Sequence, residues 1–215
     1  MESAVQIELF YLSNHSVPVG ALMTATDHSS HYCRIRFSTP DGGIVDNEAL
    51  VRMNGSIRDW TSFTFRDGAM ESVGTRDSHG VTVAGHRVDH EGTVVPSYGV
   101  SALVAEMVRE LDEAVEFRWL TESAGSAHAV LPARLERTDD EDVASPVTDI
   151  ITGCARVELS VDGTRTNTYW VKDGAVVATD WNGATSFALP ANTAFHLRAA
   201  LGLEGHGRSA LHKAE

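Results

Sequence analysis

Four side chains in this sequence are of types that move protons and sit where β-strands would aim them at an interior or its rim: Tyr11, His31, His86 and Asp180. Tyr11 follows Ile7 and Leu9 on one face of an alternating run, and its hydroxyl needs a partner if buried. His31 shares a face with Cys33, Ile35 and Phe37, and Asp180 shares one with Val176 and Ala178. His86 and Asp89 fall on opposite faces of one strand, so they cannot enter one cavity together. All four are expected as candidate proton donors or acceptors, in competition at each position with an ordinary packed or solvated role. Trp60, Trp119, Trp170 and Trp181 are spread through the chain and are expected to line a cavity for a bulky apolar ligand, with core packing as the alternative. Arg34, beside Arg36, is expected either to meet a ligand carboxylate or to form the wet face of its strand.

Metal and cofactor chemistry finds little footing. His86 and His90 are four apart, which on a helix would place both on one zinc ion. The preceding Val81-Thr82-Val83-Ala84-Gly85 reads as strand, and four strand residues span roughly 13 Å, too far for one ion. His28 and His31 lack an obvious third ligand, and Asp139-Asp140-Glu141-Asp142 lacks the spaced oxygens and central glycine of a calcium loop. There is no Gly-x-Ser-x-Gly elbow, no phosphate loop and no Gly-x-Gly-x-x-Gly. The expectation is a protein without metal or cofactor. Cys33 and Cys154 are too few for a disulfide framework and read as small core residues.

The net charge of −13 argues against nucleic acid, which requires a cationic footprint, and against an anionic membrane surface. No apolar run reaches transmembrane length, so no membrane insertion is expected. Met1-Glu2-Ser3-Ala4-Val5 lacks the basic start and apolar stretch of a signal peptide, and the expected location is cytoplasmic.

The elements that must position these residues are mostly strands. Alternation or turn punctuation marks strands over 7–12, 17–26, 31–38, 60–66, 69–75, 81–90, 114–122, 127–137, 156–161, 166–172, 175–181 and 185–189. In the first of these, Phe10 and Leu12 occupy the second face and blur the alternation. Asp67-Gly68, Asp162-Gly163, Asp173-Gly174 and Asn182-Gly183 are hairpin signals, because a type I′ turn needs positive φ at both central residues. Val100, Leu103, Val104, Met107, Val108 and Leu111 recur at helical spacing, predicting one amphipathic helix over about 97–112. A short closing helix is expected over 193–203 and a polar tail over 205–215. Residues 65–70 and 171–176 echo each other, either as duplicated halves or as two hairpins using the same turn chemistry, of which the second is favoured.

The fold class predicted is mainly β (α+β): a curved antiparallel sheet, half-barrel or barrel, around one helix, as a single domain over 1–204. A meander, one long amphipathic helix and a second meander with Asp-Gly hairpins is a layout that resembles the half-barrels of LolA/LolB-type lipoprotein carriers and their relatives over nearly the whole chain. The chain lacks the lipobox and signal sequence of those carriers. The resemblance implies a concave sheet holding an apolar cavity partly plugged by a helix. A closed lipocalin-like barrel is the competing architecture.

The function expected on this reading is binding of an apolar small molecule, polyketide-, terpene- or lipid-like, with cofactor-free cyclase, isomerase or lyase chemistry. A non-catalytic carrier of the same fold is the alternative. A protein-interaction module using an exposed strand edge is the third reading; it predicts no deep cavity and should show pairing in solution, and a homodimer is among the expected partners.

Overall fold

The computed structural model describes residues 4–12, 17–121, 128–138 and 148–189. Fifteen strands follow in chain order: β1 (Ala4–Leu12), β2 (Gly20–Thr26), β3 (Ser30–Ser38), β4 (Ile44–Met53), β5 (Trp60–Asp67), β6 (Met70–Asp77), β7 (Gly80–Val83), β8 (His86–Val88), β9 (Val94–Pro96), β10 (Ala114–Leu120), β11 (Val130–Thr138), β12 (Ala155–Val161), β13 (Thr164–Lys172), β14 (Ala175–Asp180) and β15 (Ala184–Ala188). They form one curved, unclosed sheet in the order β8-β7-β6-β5-β4-β3-β2-β1-β15-β14-β13-β12-β11-β10-β9. Neighbours pair antiparallel except β9 and β10, which run parallel. The fold class is therefore mainly β, an open curved sheet with one long helix, α1 (Val100–Glu110). A single turn of helix, α2 (Thr148–Ile151), precedes β12.

Two meanders make up this sheet, and β1 pairs with β15 where they meet at its centre. The chain passes from β8 at one edge to β9 at the other through only 89–93. A chain that short reaches about 20 Å at most. The sheet must therefore curl until its two edges nearly meet, and Trp60 of β5 ties the β9 edge to the other half of the curl, its Nε1–H donating to the Val94 carbonyl at 2.7 Å.

Helix α1 packs inside this curl. Its Val100, Leu103, Val104 and Met107 join Val51, Phe63, Phe65, Leu135, Leu159, Tyr169 and others in one large core. This face of the sheet is called inner below. The register then fixes the inner side of every strand. Asn47, Ala49 and Val51 of β4 stand opposite Ile35, Cys33 and His31 of β3, and these stand opposite Leu22, Thr24 and Thr26 of β2. A second, smaller cluster of Ile7, Ala21, Met23, Ala25 and Tyr32 lies on the outer face.

The sequence reading needs correction in several places. It leaves 44–53 unassigned, yet β4 is one of the longest strands and carries Ala49, Val51 and Met53 into the core. The run 81–90 is not one strand. It folds at Ala84-Gly85, both at positive φ (49° and 81°), into the β7–β8 hairpin, where Ala84 occupies a conformation that favours glycine. β9 carries no sequence signal either, because three residues ending in Pro96 are too short to show a period.

The echoing hairpins use different turns. Asp173-Gly174 is a type I′ pair with both φ positive. In the other hairpin Asp67 already pairs with Met70, leaving Gly68-Ala69 as the loop with positive φ at Gly68 alone. The shared letters sit one residue out of step in the two turns, so the echo reflects neither one shared turn type nor a duplicated hairpin. The expected closing helix over 193–203 and the tail over 205–215 lie outside the described residues. No helix among the described residues is long and apolar enough to cross a membrane.

Candidate functional site

The central strand pair carries a buried carboxyl on the inner face. Glu8 of β1 stands in register with Leu22, which faces Ile35 and in turn Asn47. It is only 2% exposed. Ser186 of β15 donates its hydroxyl to Glu8 Oε2 at 2.5 Å, and Gln6 Nε2 donates to Oε1 at 3.1 Å. Gln6 also donates to the Val176 carbonyl. The relay extends outward: Trp181 Nε1–H donates to Ser186 Oγ at 3.0 Å. Burial pushes the Glu8 carboxyl up to about 7, with the Ser186 and Gln6 hydrogen bonds opposing the rise. A carboxyl in that range can give or take a proton near neutrality.

Three aromatic residues neighbour it on the inner face: Phe10 along β1, Trp181 through Ser186, and Tyr169, whose phenol feels the Glu8 charge. Phe10 follows Glu8 two residues on along the same face of β1, and its ring lies 4.9 Å from Phe37 and 6.4 Å from Trp181. Tyr169 stands 6.5 Å from Trp181, edge to face. Burial raises the Tyr169 phenol, with the nearby Glu8 charge acting in the same direction, and Asn167 Nδ2 donates to its oxygen at 3.0 Å. Where α1 ends its cover, Ile35, Phe37, Val45 and Trp181 are only half-buried on this inner side. They form a half-buried apolar patch beside Phe10, two residues along β1 from Glu8. At its side Asn47 Nδ2 donates to the Tyr98 hydroxyl at 3.0 Å, and Tyr98 packs 5.3 Å from Phe65.

Each expected site residue has a definite place. His31 is on the inner face, as expected, and is buried at 2% exposure. It pins the sheet to the start of α1: Nε2 lies 3.0 Å from the Tyr98 carbonyl and 3.2 Å from Ser101 Oγ, and Nδ1 lies 2.7 Å from Thr26 Oγ1. A carbonyl only accepts, so Nε2 carries the proton and Nδ1 accepts from Thr26. Burial pulls this imidazole down to about 4, against the Tyr98 carbonyl bond. Its partners make it a clasp.

Tyr11 and Asp180 both align with Thr185 and so share the outer face, away from Glu8 and His31. Asp180 Oδ1 accepts from the Asn182 amide at 2.9 Å, a turn bond. His86 is exposed on edge strand β8. The four do not converge. Arg34 is also on the outer face and is already engaged by Asp46 in two bonds of 2.8 and 2.9 Å. Among the tryptophans, Trp181 alone adjoins Glu8. Trp60 and Trp119 pack with the α1 core, and Trp170 faces outward, in register with Ala178 and Arg156.

Glu8, Ser186, Gln6 and Tyr169 escaped the sequence reading, although a signal for Glu8 was present. It shares a face with Phe10 and Leu12, the residues that blur the alternation of β1. A strand apolar on both faces is buried on both faces, so its lone carboxylate must be buried too.

Two surface hollows of about 480 and 680 Å³ lie at the sheet edge and share Glu91 and Arg118. Their walls are charged and open, and they are far in strand order from the central Glu8. Among the described residues no group of three or more metal-binding side chains comes together. Comparison with protein-family models and with curated proteins returns no match.

Proposed function

We propose that the inner face beside Glu8 binds an amphipathic small molecule and that Glu8 transfers a proton to or from it, in a cofactor-free isomerisation, cyclisation or elimination. The observation that carries this reading is the Glu8 carboxyl itself. It is buried on the central strand and linked to Ser186 and Trp181, with a half-buried apolar patch beside Phe10. A protein rarely buries an ionisable group without a use, because the charged form is costly there. Ser186 and Gln6 hold the two carboxyl oxygens apart in role, and the rings of Phe10, Phe37 and Trp181 would orient an apolar skeleton over them. The resemblance to LolA/LolB-type carriers belongs to the same proposal: it supplies the cavity, and Glu8 adds the chemistry.

The test is native mass spectrometry of freshly purified protein, with organic extraction of bound material, followed by incubation of the wild type and Glu8→Gln with whatever is recovered. The expected result is a bound apolar mass that the wild type converts and the variant binds without converting. Equal conversion by Glu8→Gln overturns the role of Glu8. Binding without conversion by the wild type makes the protein a carrier. Failure to recover or bind any apolar molecule overturns the cavity.

A further inference from the structure

We infer that the molecule bound at this site carries a basic nitrogen, held as an ammonium against Glu8 and the rings of Phe10, Trp181 and Tyr169, with its apolar part lying along Ile35, Phe37 and Val45. This rests on the reading of the inner face as a ligand site and names the ligand's chemistry.

Among the described residues the ionised form of Glu8 has no counter-ion beside it, and its polar partners, Ser186 and Gln6, are neutral. The arginines of the neighbouring strands lie on the other side of the sheet. Arg34 stands in register with Met23 and Glu48 on the outer face and is held by Asp46, and Arg66 is held by Glu71. A carboxylate buried without a cation is unfavourable, and a ligand cation removes that cost.

The rings argue independently for the same charge. An aromatic face is electron-rich and attracts cations, most strongly where water is excluded. Phe10, Trp181 and Tyr169 form a chain of rings with centroid spacings of 6.4 and 6.5 Å, and Trp181 and Glu8 both bond to Ser186. Rings and a carboxylate that share one polar anchor are complementary to an ammonium. An anionic head group would face Glu8, the negative potential of the rings and a chain of net charge −13.

Three ten-carbon probes separate head-group charge from tail: decylamine, decanol and decanoate, each below its aggregation limit. Binding is read by calorimetry and by the change in total tryptophan fluorescence near pH 6.5, where decylamine is fully ammonium. The expected order places decylamine about tenfold or more tighter than decanol, with decanoate weakest. Glu8→Gln, confirmed folded by circular dichroism, should bind decylamine and decanol alike. Decylamine should also displace the proton shared by Glu8, giving a heat that varies with the ionisation enthalpy of the buffer and vanishes in Glu8→Gln. If decanol or decanoate binds as tightly as decylamine, or Glu8→Gln keeps the preference, the ammonium inference fails while the apolar site stands. If none of the three binds, the site reading itself fails.

Discussion

Two buried titratable groups on the inner face, Glu8 and His31, pull stability in opposite directions as pH changes. The folded carboxyl of Glu8 sits at about 7 against an ordinary 4.5. Between those values the unfolded chain has lost the proton that the folded chain keeps, so stability falls as pH rises and the full cost is present above 7. That cost is roughly 3 kcal/mol. His31 is the reverse. Its folded value of about 4 lies below the ordinary 6.5, so the unfolded chain takes up the proton first and stability falls as pH drops from 6.5 towards 4. Over their common window the two slopes oppose, and urea midpoints of the wild type should vary little between pH 4.5 and 6.5. Glu8→Gln should uncover the His31 slope, with midpoints rising across that window. His31→Gln should uncover the Glu8 slope, with midpoints falling from pH 4.5 to 7. Parallel curves for wild type and Glu8→Gln would show that Glu8 titrates as an exposed carboxyl does. At this scale the inward face of His31 is legible in the period of its strand, while its clasp and the partners of Glu8 are not. A strand's period says which residues share a face. It does not say which strand 178 residues away supplies the partner, and Ser186 is that far from Glu8.

Elements whose pattern is local were readable. The helix expected over 97–112 is α1 with a preceding 3-10 turn, Ser97–Gly99, because its apolar stripe repeats over three turns. The Asp162-Gly163, Asp173-Gly174 and Asn182-Gly183 turns are where their chemistry puts them, while the Asp67 turn shifts by one residue onto Gly68-Ala69. What stayed hidden was the Ala84-Gly85 turn, since Ala is a poor left-handed residue, and how α1 is fastened. Glu106, buried on α1, accepts the Ile57 amide at Oε1 and the Ser56 hydroxyl at Oε2, both at 2.8 Å. Ser56 in turn caps the 3-10 turn Ile57–Asp59 by accepting from Arg58 N. Glu106→Ala leaves that buried amide unpaired and should destabilise the fold by about 2 kcal/mol. α1 itself ends on Leu111, left-handed at φ 61° and 73% exposed, with the Asp112 amide bonding to the Met107 carbonyl. Glycine prefers that conformation and no buried contact is lost, so Leu111→Gly should stabilise by about 1 kcal/mol in denaturant titration. A loss of stability there would mean that the Leu111 side chain contributes packing despite its exposure.

For the whole molecule, a meander is the default reading of successive hairpins, and it describes β1–β8 and β10–β15 but not the parallel β9. It could not reveal that β1 and β15 join the halves at the centre, nor that the chain between β8 and β9 spans the two free edges, because neither depends on local pattern. Those edges are the weak place of an unclosed sheet. β9 pairs with β10 in parallel over only three residues, and the Trp60 indole ties the Val94 carbonyl to the other half of the curl. Val94 is fully buried, so Trp60→Phe leaves its carbonyl without the indole donor and should cost about 2 kcal/mol, the lost ring volume included. The more telling readout is spatial. If Trp60 holds the β9 edge against the first half of the sheet, hydrogen exchange in Trp60→Phe should accelerate about tenfold at 93–96 and along β10, where the Arg118 amide bonds to the Thr93 carbonyl. The β1–β15 pair should keep its protection, because it lies at the opposite side of the curl from that seam. Exchange that rises equally in both places would mean that Trp60 stabilises the sheet as a whole, and the two edges would then open only when the molecule unfolds.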